Sequence, residues 1–394
     1  IRYQGPATRS VLDMRGSVYW DVYGLHRTYD IAAGARKGDR EVVLDSVEGI
    51  AVGDALLLDQ RNDGGLVDAV GSEGPCTWCS RQEGGRARGQ YAEVEGIRGR
   101  TVELGLPLFL DLSPALAPEA VLISARSLVR RAGVEDLALT QAEPVNDYIV
   151  EMDGTQHCWL QNVEISGMHR RGVWLIESLQ SQVRHCTFRD AVSGYGRDRG
   201  YGLLIDAQST ANLVEDNLFH AVDGGGMMTA GGAIGNVLAY NYLPDIRFDD
   251  PWWMIAGPVL NHAAHPSMNL WEGNIGPQIG GDFIHGSSSH QTVFRSYSAG
   301  CAEAATANNN AVDLQYKNRF MTVIGCVLGT PGRSDTYEQA WPEARSNQAR
   351  TIWRLGYGGP GGAGETEVGD TLLRHGNWDA VTGATVWDPS VPER

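Results

Sequence analysis

One short phrase recurs along most of this chain, and its spacing limits what the chain can fold into. A few β-prone residues lead into a polar or asparagine-bearing step and then a loop. The instances begin at Val134, Leu160, Val183, Val214, Leu238, Leu270, Phe294 and Val323. The steps between them are 26, 23, 31, 24, 32, 24 and 29 residues. A minimum near 23 with longer steps by insertion is what one coil of a three-strand parallel solenoid requires. Such a coil holds three strands of roughly 4–6 residues plus turns and rises by one strand spacing, about 4.8 Å.

A second strand follows each phrase: Tyr148–Glu151, Val173–Ile176, Leu203–Asp206, Met227–Ala230, Met254–Gly257, Phe283–His285 and Val312–Gln315. Their alternation is closer to period 2 than to 3.6. A leucine-rich repeat needs a stricter leucine pattern with helices, a TIM barrel needs long helices between strands, and a propeller needs longer periods of antiparallel strands. The chain therefore reads as all-β, a right-handed parallel β-helix of about eight or more coils. Fifty glycines fit its many tight corners.

Four segments are expected. Residues 1–37 read as irregular first coils or an N-terminal cap, with Val11–Arg15 and Tyr19–Tyr23 as strands. Residues 38–128 read as a small antiparallel β insert, with strands at Glu41–Asp45, Ile50–Asp54, Ala55–Asp59, Gln90–Glu95 and Thr101–Leu104 around glycine turns. Residues 129–350 form the solenoid. Residues 351–394 hold a Gly-rich loop and a C-terminal cap.

The formal charge is −16. That removes the basic footprint of a nucleic-acid binder and disfavours anionic membranes. It tolerates a polyanionic substrate only where a cation such as Ca²⁺ bridges the two. No apolar run is long enough to form a membrane helix. The start at Ile1 fits a mature, processed or trimmed N-terminus as well as a cytosolic one; a secreted or cell-surface chain is expected. Cys76-Thr77-Trp78-Cys79 lacks a second cysteine pair for a zinc site and reads as a short disulfide, Cys76 to Cys79. Cys301 and Cys326, on neighbouring coils, are candidates for a second. A monomer is expected.

The stacked phrases with Asn217, Asn241 and Asn274 at their turns resemble the pectate-lyase-like right-handed β-helix superfamily. The pieces Gly53 to Gln60, Cys79 to Gly85 and Leu373 to Asp379 are similar to a group of bacterial secreted β-helix proteins. The superfamily implies polysaccharide lyases, polygalacturonase-like hydrolases, epimerases and phage depolymerases, and also adhesins without catalysis.

Glycoside hydrolysis needs two carboxylates at a set separation, which stacked coils provide. The candidates are Asp249 and Asp250 in the longest loop, Asp282 and His285 one coil later, and Asp223 one coil earlier. The Asp-Asp pair followed by His-Gly is similar to polygalacturonase-like hydrolases, although their Asn-Thr-Asp and Arg-Ile-Lys steps are missing here. Trp252 and Trp253 are candidate sugar platforms, because adjacent strand residues point to opposite faces. Arg247, Tyr242 and His262 complete a candidate substrate set. The spacing of His262 and His265, with Pro266 next, does not match a helical zinc motif. A Ca²⁺-dependent lyase would instead draw on Asp216 and Asp245 as metal ligands, with Arg247 or Arg295 as base. The expected function is a secreted carbohydrate-active enzyme, foremost a glycoside hydrolase without a cofactor. The alternatives are a Ca²⁺-dependent polysaccharide lyase and a non-catalytic glycan-binding or structural β-helix protein.

Overall fold

A computed structural model of the chain describes residues 12–18, 27–141, 147–192, 199–247, 257–302, 306–344, 350–359 and 363–392. Its strands stack into a parallel β-helix. One wall is a ten-stranded sheet. It opens with Leu12–Arg15 and passes through Tyr148–Asp153, Arg171–Ile176, Tyr201–Asp206, Met227–Thr229, Pro258–Ala263, Ile279–His285 and Val312–Leu314 to Thr351–Leu355 and Thr336–Ala340. The other walls belong to a seventeen-stranded sheet that turns a corner within each coil.

The recurring phrase sets the register. Val134, Leu160, Val183, Val214, Leu238, Trp271, Val293 and Val323 align one above the next and point into the solenoid. Two phrases therefore begin one residue away from the expected position. Leu270 and Phe294 lie on the outer face, and their neighbours Trp271 and Val293 fill the core. Where two apolar residues are adjacent, period 2 alone does not choose between them, and a one-residue slip exchanges the faces. Trp271 is settled by volume and by a partner: its indole N–H donates to Gln291 Oε1 at 2.9 Å.

Two asparagine ladders hold the corners. Asn217, Asn241 and Asn274 form one, and Asn212, Asn236 and Asn269 form the other. Along each ladder the amide oxygen accepts both the side-chain and backbone N–H of the asparagine one coil before it. The first ladder's corners place a left-handed residue just before the asparagine, as at Asp216, Tyr240 and Gly273. Gly273 is required twice over, since a Cβ there would also lie 2.6 Å from the Tyr240 ring.

The antiparallel insert is larger than expected. It is a closed six-stranded barrel of Thr28–Ala33, Glu41–Leu44, Thr101–Leu104, Arg88–Arg98, Ala55–Gln60 and Glu119–Ile123. Thr28–Ala33 belongs to this barrel rather than to the first coils. Ile50 to Asp54 form the turn that leads into Ala55–Gln60 rather than a strand. The expected strand at Met254–Gly257 falls largely outside the described residues; the solenoid strand there is Pro258–Ala263, with proline at its first position, where no ladder N–H is lost. Tyr19–Tyr23 also lies outside them. The solenoid runs past residue 350, with Thr351–Leu355, Leu373–His375 and Asn377–Asp379 continuing its sheets. Thr385–Val386 folds back antiparallel on the last coil. Cys301 and Cys326 are both free thiols.

Candidate functional site

The outer face of the ten-stranded sheet meets a long excursion of the barrel, residues 61–87. That excursion is fastened along the strand Ile279–His285. Ser72 and Glu73 donate their N–H groups to the carbonyls of Phe283 and Ile284 at 2.9 and 3.1 Å. Asp68 N–H donates to Ser287 Oγ at 2.7 Å, and Lys317 pairs with Asp68. Cys76 and Cys79 are joined by a disulfide buried against Leu204, Met228, Val259, Ala263 and Ala264. Trp78, between the two cysteines, stays 52% exposed.

Beside this loop the sheet gathers its chemistry. His262 Nδ1 lies 2.8 Å from Asp282 Oδ2. Asp282 is buried, and its Oδ1 accepts the Ile284 N–H at 2.9 Å. The carboxylate can only accept there, so His262 carries its proton on Nδ1 and Nε2 is the basic nitrogen. The His285 ring stands edge-on to His262 at 5.1 Å, and Trp78 stands edge-on to His285 at 5.4 Å. Tyr201 faces His262 from the other side at 6.3 Å.

Further along the face, Arg171 lies over the rings of Tyr148, Trp174 and Tyr201 at 5.3, 5.7 and 5.9 Å. Tyr148 and Trp174 stack at 4.5 Å. The Trp174 indole N–H points to Asp206 Oδ2 at 3.3 Å, and Ala207 N–H donates to Asp206 Oδ1 at 2.8 Å. Burial pushes the Asp206 carboxyl above the usual range. The Ala207 N–H, the Arg171 charge, the Trp174 N–H and the His262 charge pull it back only in part. Burial is thus the dominant influence on Asp206.

Of the residues expected from sequence, Asp282, His285 and His262 come together here. Asp223 is buried one corner away. Its side chain packs on Gly200, where a Cβ would come within 2.4 Å, so it backs the turn that carries Tyr201. Arg247 and Tyr242 do not join the group. Both lie on Tyr242–Arg247 of the seventeen-stranded sheet, where Arg247 is paired with Asp245 at 2.6 Å and Tyr242 is exposed. Asp249, Asp250, Trp252 and Trp253 lie outside the described residues, in the connection between that strand and the one carrying His262. Asp216 and Asp245 do not converge into a calcium site. Asp216 sits on the asparagine corner beside His185, and Asp245 sits on the far side of that corner, facing His220. Among the described residues no three His, Cys, Asp or Glu side chains gather to hold a metal ion. His265 is a fully buried lock between Ser287 and Ser289, at 2.9 and 2.8 Å, and burial keeps it neutral.

Sequence reasoning missed Trp78, Arg171, Trp174 and Asp206. A tryptophan enclosed in a short disulfide was the available signal for Trp78: the pair leaves its middle residues nowhere to go but outward. Arg171, Trp174 and Asp206 become neighbours only through the register of separate coils.

Neither a protein-family model nor a curated protein matches the chain. Among solved structures the likeness follows the fold just described. Solved structures that it resembles include phage tailspikes. The tailspike protein gp49 from Pseudomonas phage LKA1 matches at 10% identity with a TM-score of 0.47, over 95% of this chain and 63% of its own. The tailspike gp61 of Pseudomonas phage phi297 matches at 10% identity and a TM-score of 0.31, over 79% of this chain and 63% of its own. The Gp54 tailspike of Acinetobacter baumannii bacteriophage AP22, solved in complex with A. baumannii capsular saccharide, matches at 10% identity and 0.30, over 89% and 67%. The chain thus spans less than two thirds of the length of the first two tailspikes.

Proposed function

We propose that this chain acts on a polysaccharide laid across the outer face of its ten-stranded sheet, and that it cleaves that chain with His262 as general base. The observation that carries the reading is the His262–Asp282 hydrogen bond on a sheet face beside the exposed Trp78. A buried carboxylate that fixes an imidazole by one nitrogen makes the other a directed proton acceptor. Asp206, whose carboxyl burial pushes above the usual range on the same sheet face, is assigned as the proton donor. Two titratable groups whose surroundings push them to opposite roles form an acid and base pair. Trp78 and the Tyr148–Arg171–Trp174 stack offer the flat apolar and cationic surfaces on which sugar rings rest.

In this reading the reaction is hydrolysis: His262 takes a proton from water and Asp206 gives one to the leaving oxygen. This reading puts His262 and Asp206, rather than the Asp249 and Asp250 pair, at the centre of the mechanism. The place of action is outside the cell or on its surface. A superfamily assignment to the pectate-lyase-like proteins is part of the same proposal, supported by the asparagine ladders. The test is His262→Gln. It should retain the wild-type melting temperature and lose turnover by about a hundredfold or more, the scale of a lost general base. Unchanged turnover on a substrate the wild type cleaves would remove His262 from the mechanism.

A further inference from the structure

The outer face of the seventeen-stranded sheet carries a row of apolar side chains. Tyr242, Ile275, Tyr297, Val327 and Trp378 are register partners on successive coils, with Leu218 one coil before Tyr242. The residues that follow them along their strands, such as Phe219, Leu243 and Leu328, are buried, so the row itself points outward. Tyr242, Ile275, Tyr297 and Val327 are each between 37% and 49% exposed. Apolar side chains scattered singly on a surface need no explanation, but a contiguous row marks a place of interaction.

The dimensions of the row choose its occupant. It begins where Leu218 follows Thr187 in register and ends at Trp378, against the hairpin strand of Thr385. Five steps of about 4.8 Å make it about 24 Å long. At Ile275, Tyr297 and Val327, whose strands are two residues long, it is one side chain wide. A stable protein interface takes in roughly 20–30 residues a side, far more than this row supplies. A single extended polymer fits it.

Aromatic rings recur at every second coil, at Tyr242, Tyr297 and Trp378, with Ile275 and Val327 between them. Two strand spacings make about 10 Å. In an extended β-1,4-linked glycan each sugar is turned over relative to the last, so the same ring face returns every second sugar, over a closely similar distance. The corner leading into the row carries Tyr240 and Arg295. The Tyr240 hydroxyl donates to Glu272 Oε1 at 3.0 Å, and Arg295 pairs with Glu272. These charges are balanced within the protein, which suits uncharged sugars, and the same groups can meet sugar hydroxyls.

We propose that this row binds one extended β-1,4-linked glycan of neutral sugars, laid along the solenoid axis with alternate rings on Tyr242, Tyr297 and Trp378. The row lies on a different sheet from His262, and the proposal does not rest on the chemistry assigned to that residue.

The experiment is calorimetric titration of the whole chain with cellohexaose, β-1,4-mannohexaose and maltohexaose. At least one β-linked hexasaccharide should bind, and maltohexaose, whose α-links coil the chain, should bind at least about tenfold more weakly. Tyr297→Ala should keep the wild-type melting temperature and weaken binding about tenfold, the value of one stacked ring. Adding Val327→Tyr to Tyr297→Ala restores the number of rings but not their two-coil spacing, and should leave the affinity low. Trp78→Ala, on the other sheet, should bind as the wild type does. Absence of binding by both β-linked hexasaccharides, equal affinity of Tyr297→Ala and wild type, or rescue by Val327→Tyr would overturn the proposal. So would a wild-type dimer in sedimentation that Tyr297→Ala turns into a monomer, since the row would then belong to a second copy of the chain. If Tyr297→Ala does not fold, Tyr242→Ala decides by the same measurements.

Discussion

Asp282 ties its own strand to its neighbour: its Oδ2 lies 2.8 Å from His262 Nδ1, and its Oδ1 accepts the Ile284 N–H at 2.9 Å. The second bond fixes the carboxylate, and the first lets it fix the imidazole. In the proposed mechanism Asp282 is therefore a positioning residue rather than a catalytic one. Asp282→Asn keeps the shape but can present an N–H where His262 needs an acceptor. Turnover should fall by about 10²–10⁴-fold with KM nearly unchanged, and the pH dependence of turnover should change form. A variant with the wild-type pH profile would show that Asp282 serves structure alone.

Trp78 projects from the disulfide turn with half its surface in solvent. Its removal costs the fold little, because nothing packs over its exposed half. Trp78→Ala should melt with the wild type and raise KM for polymeric substrate about tenfold, roughly the value of one stacked ring. An unchanged KM would place the substrate elsewhere on the face.

Asn241 holds three coils together. Its Oδ1 takes the Asn217 backbone and side-chain N–H groups at 3.1 and 2.9 Å, and its Nδ2 reaches Asn274 Oδ1 and Val214 O at 3.0 Å each. Asn241→Ala strands several buried polar groups at once. Each costs about 1–3 kcal/mol, so the loss should exceed that of an exposed substitution such as Tyr242→Ala by several-fold. Denaturant melting of the two variants side by side measures it. Equal midpoints would mean the ladder is not what holds the corner.

The coils were legible in the sequence because each one repeats the same inward apolar positions. Ambiguity arose where two apolar residues adjoin, as at Leu270 and Trp271. Asp282 and His285 stood out because they fall about one coil after the Asp249–Asp250 pair, and His262 because it belongs to a cluster of histidines in the sequence. Their union with Trp78 was not legible, since it depends on how residues 61–87 lie across a strand some two hundred positions later. Tyr242 and Arg247 were assigned to the site by nearness in sequence to Asp249. A corner in the solenoid turns them onto a different sheet.

Asp153 tests the electrostatics of the same face at its first coils. Burial, with Glu151 and Asp13 nearby, raises its pKa from 3.8 to about 7, against the opposing pull of Arg15. The folded chain thus keeps a proton there that the unfolded chain releases above pH 3.8. Its stabilising contribution is full below the unfolded value of 3.8 and is lost as pH rises through about 7. Asp153→Asn is neutral throughout. Its advantage in melting temperature should be absent below about pH 3.8, grow from there to about 7, and level off above. A constant difference across that range would contradict the shift.

Everything assigned to the face holding His262 turns on whether it cleaves a polysaccharide by adding water. Mass spectrometry of products from a panel of neutral and acidic polysaccharides, treated with wild type and with His262→Gln, addresses it directly. Wild-type fragments heavier by one water, and none above background from the variant, are the predicted result. Unsaturated fragments that carry no added water, or equal product from both proteins, would contradict it.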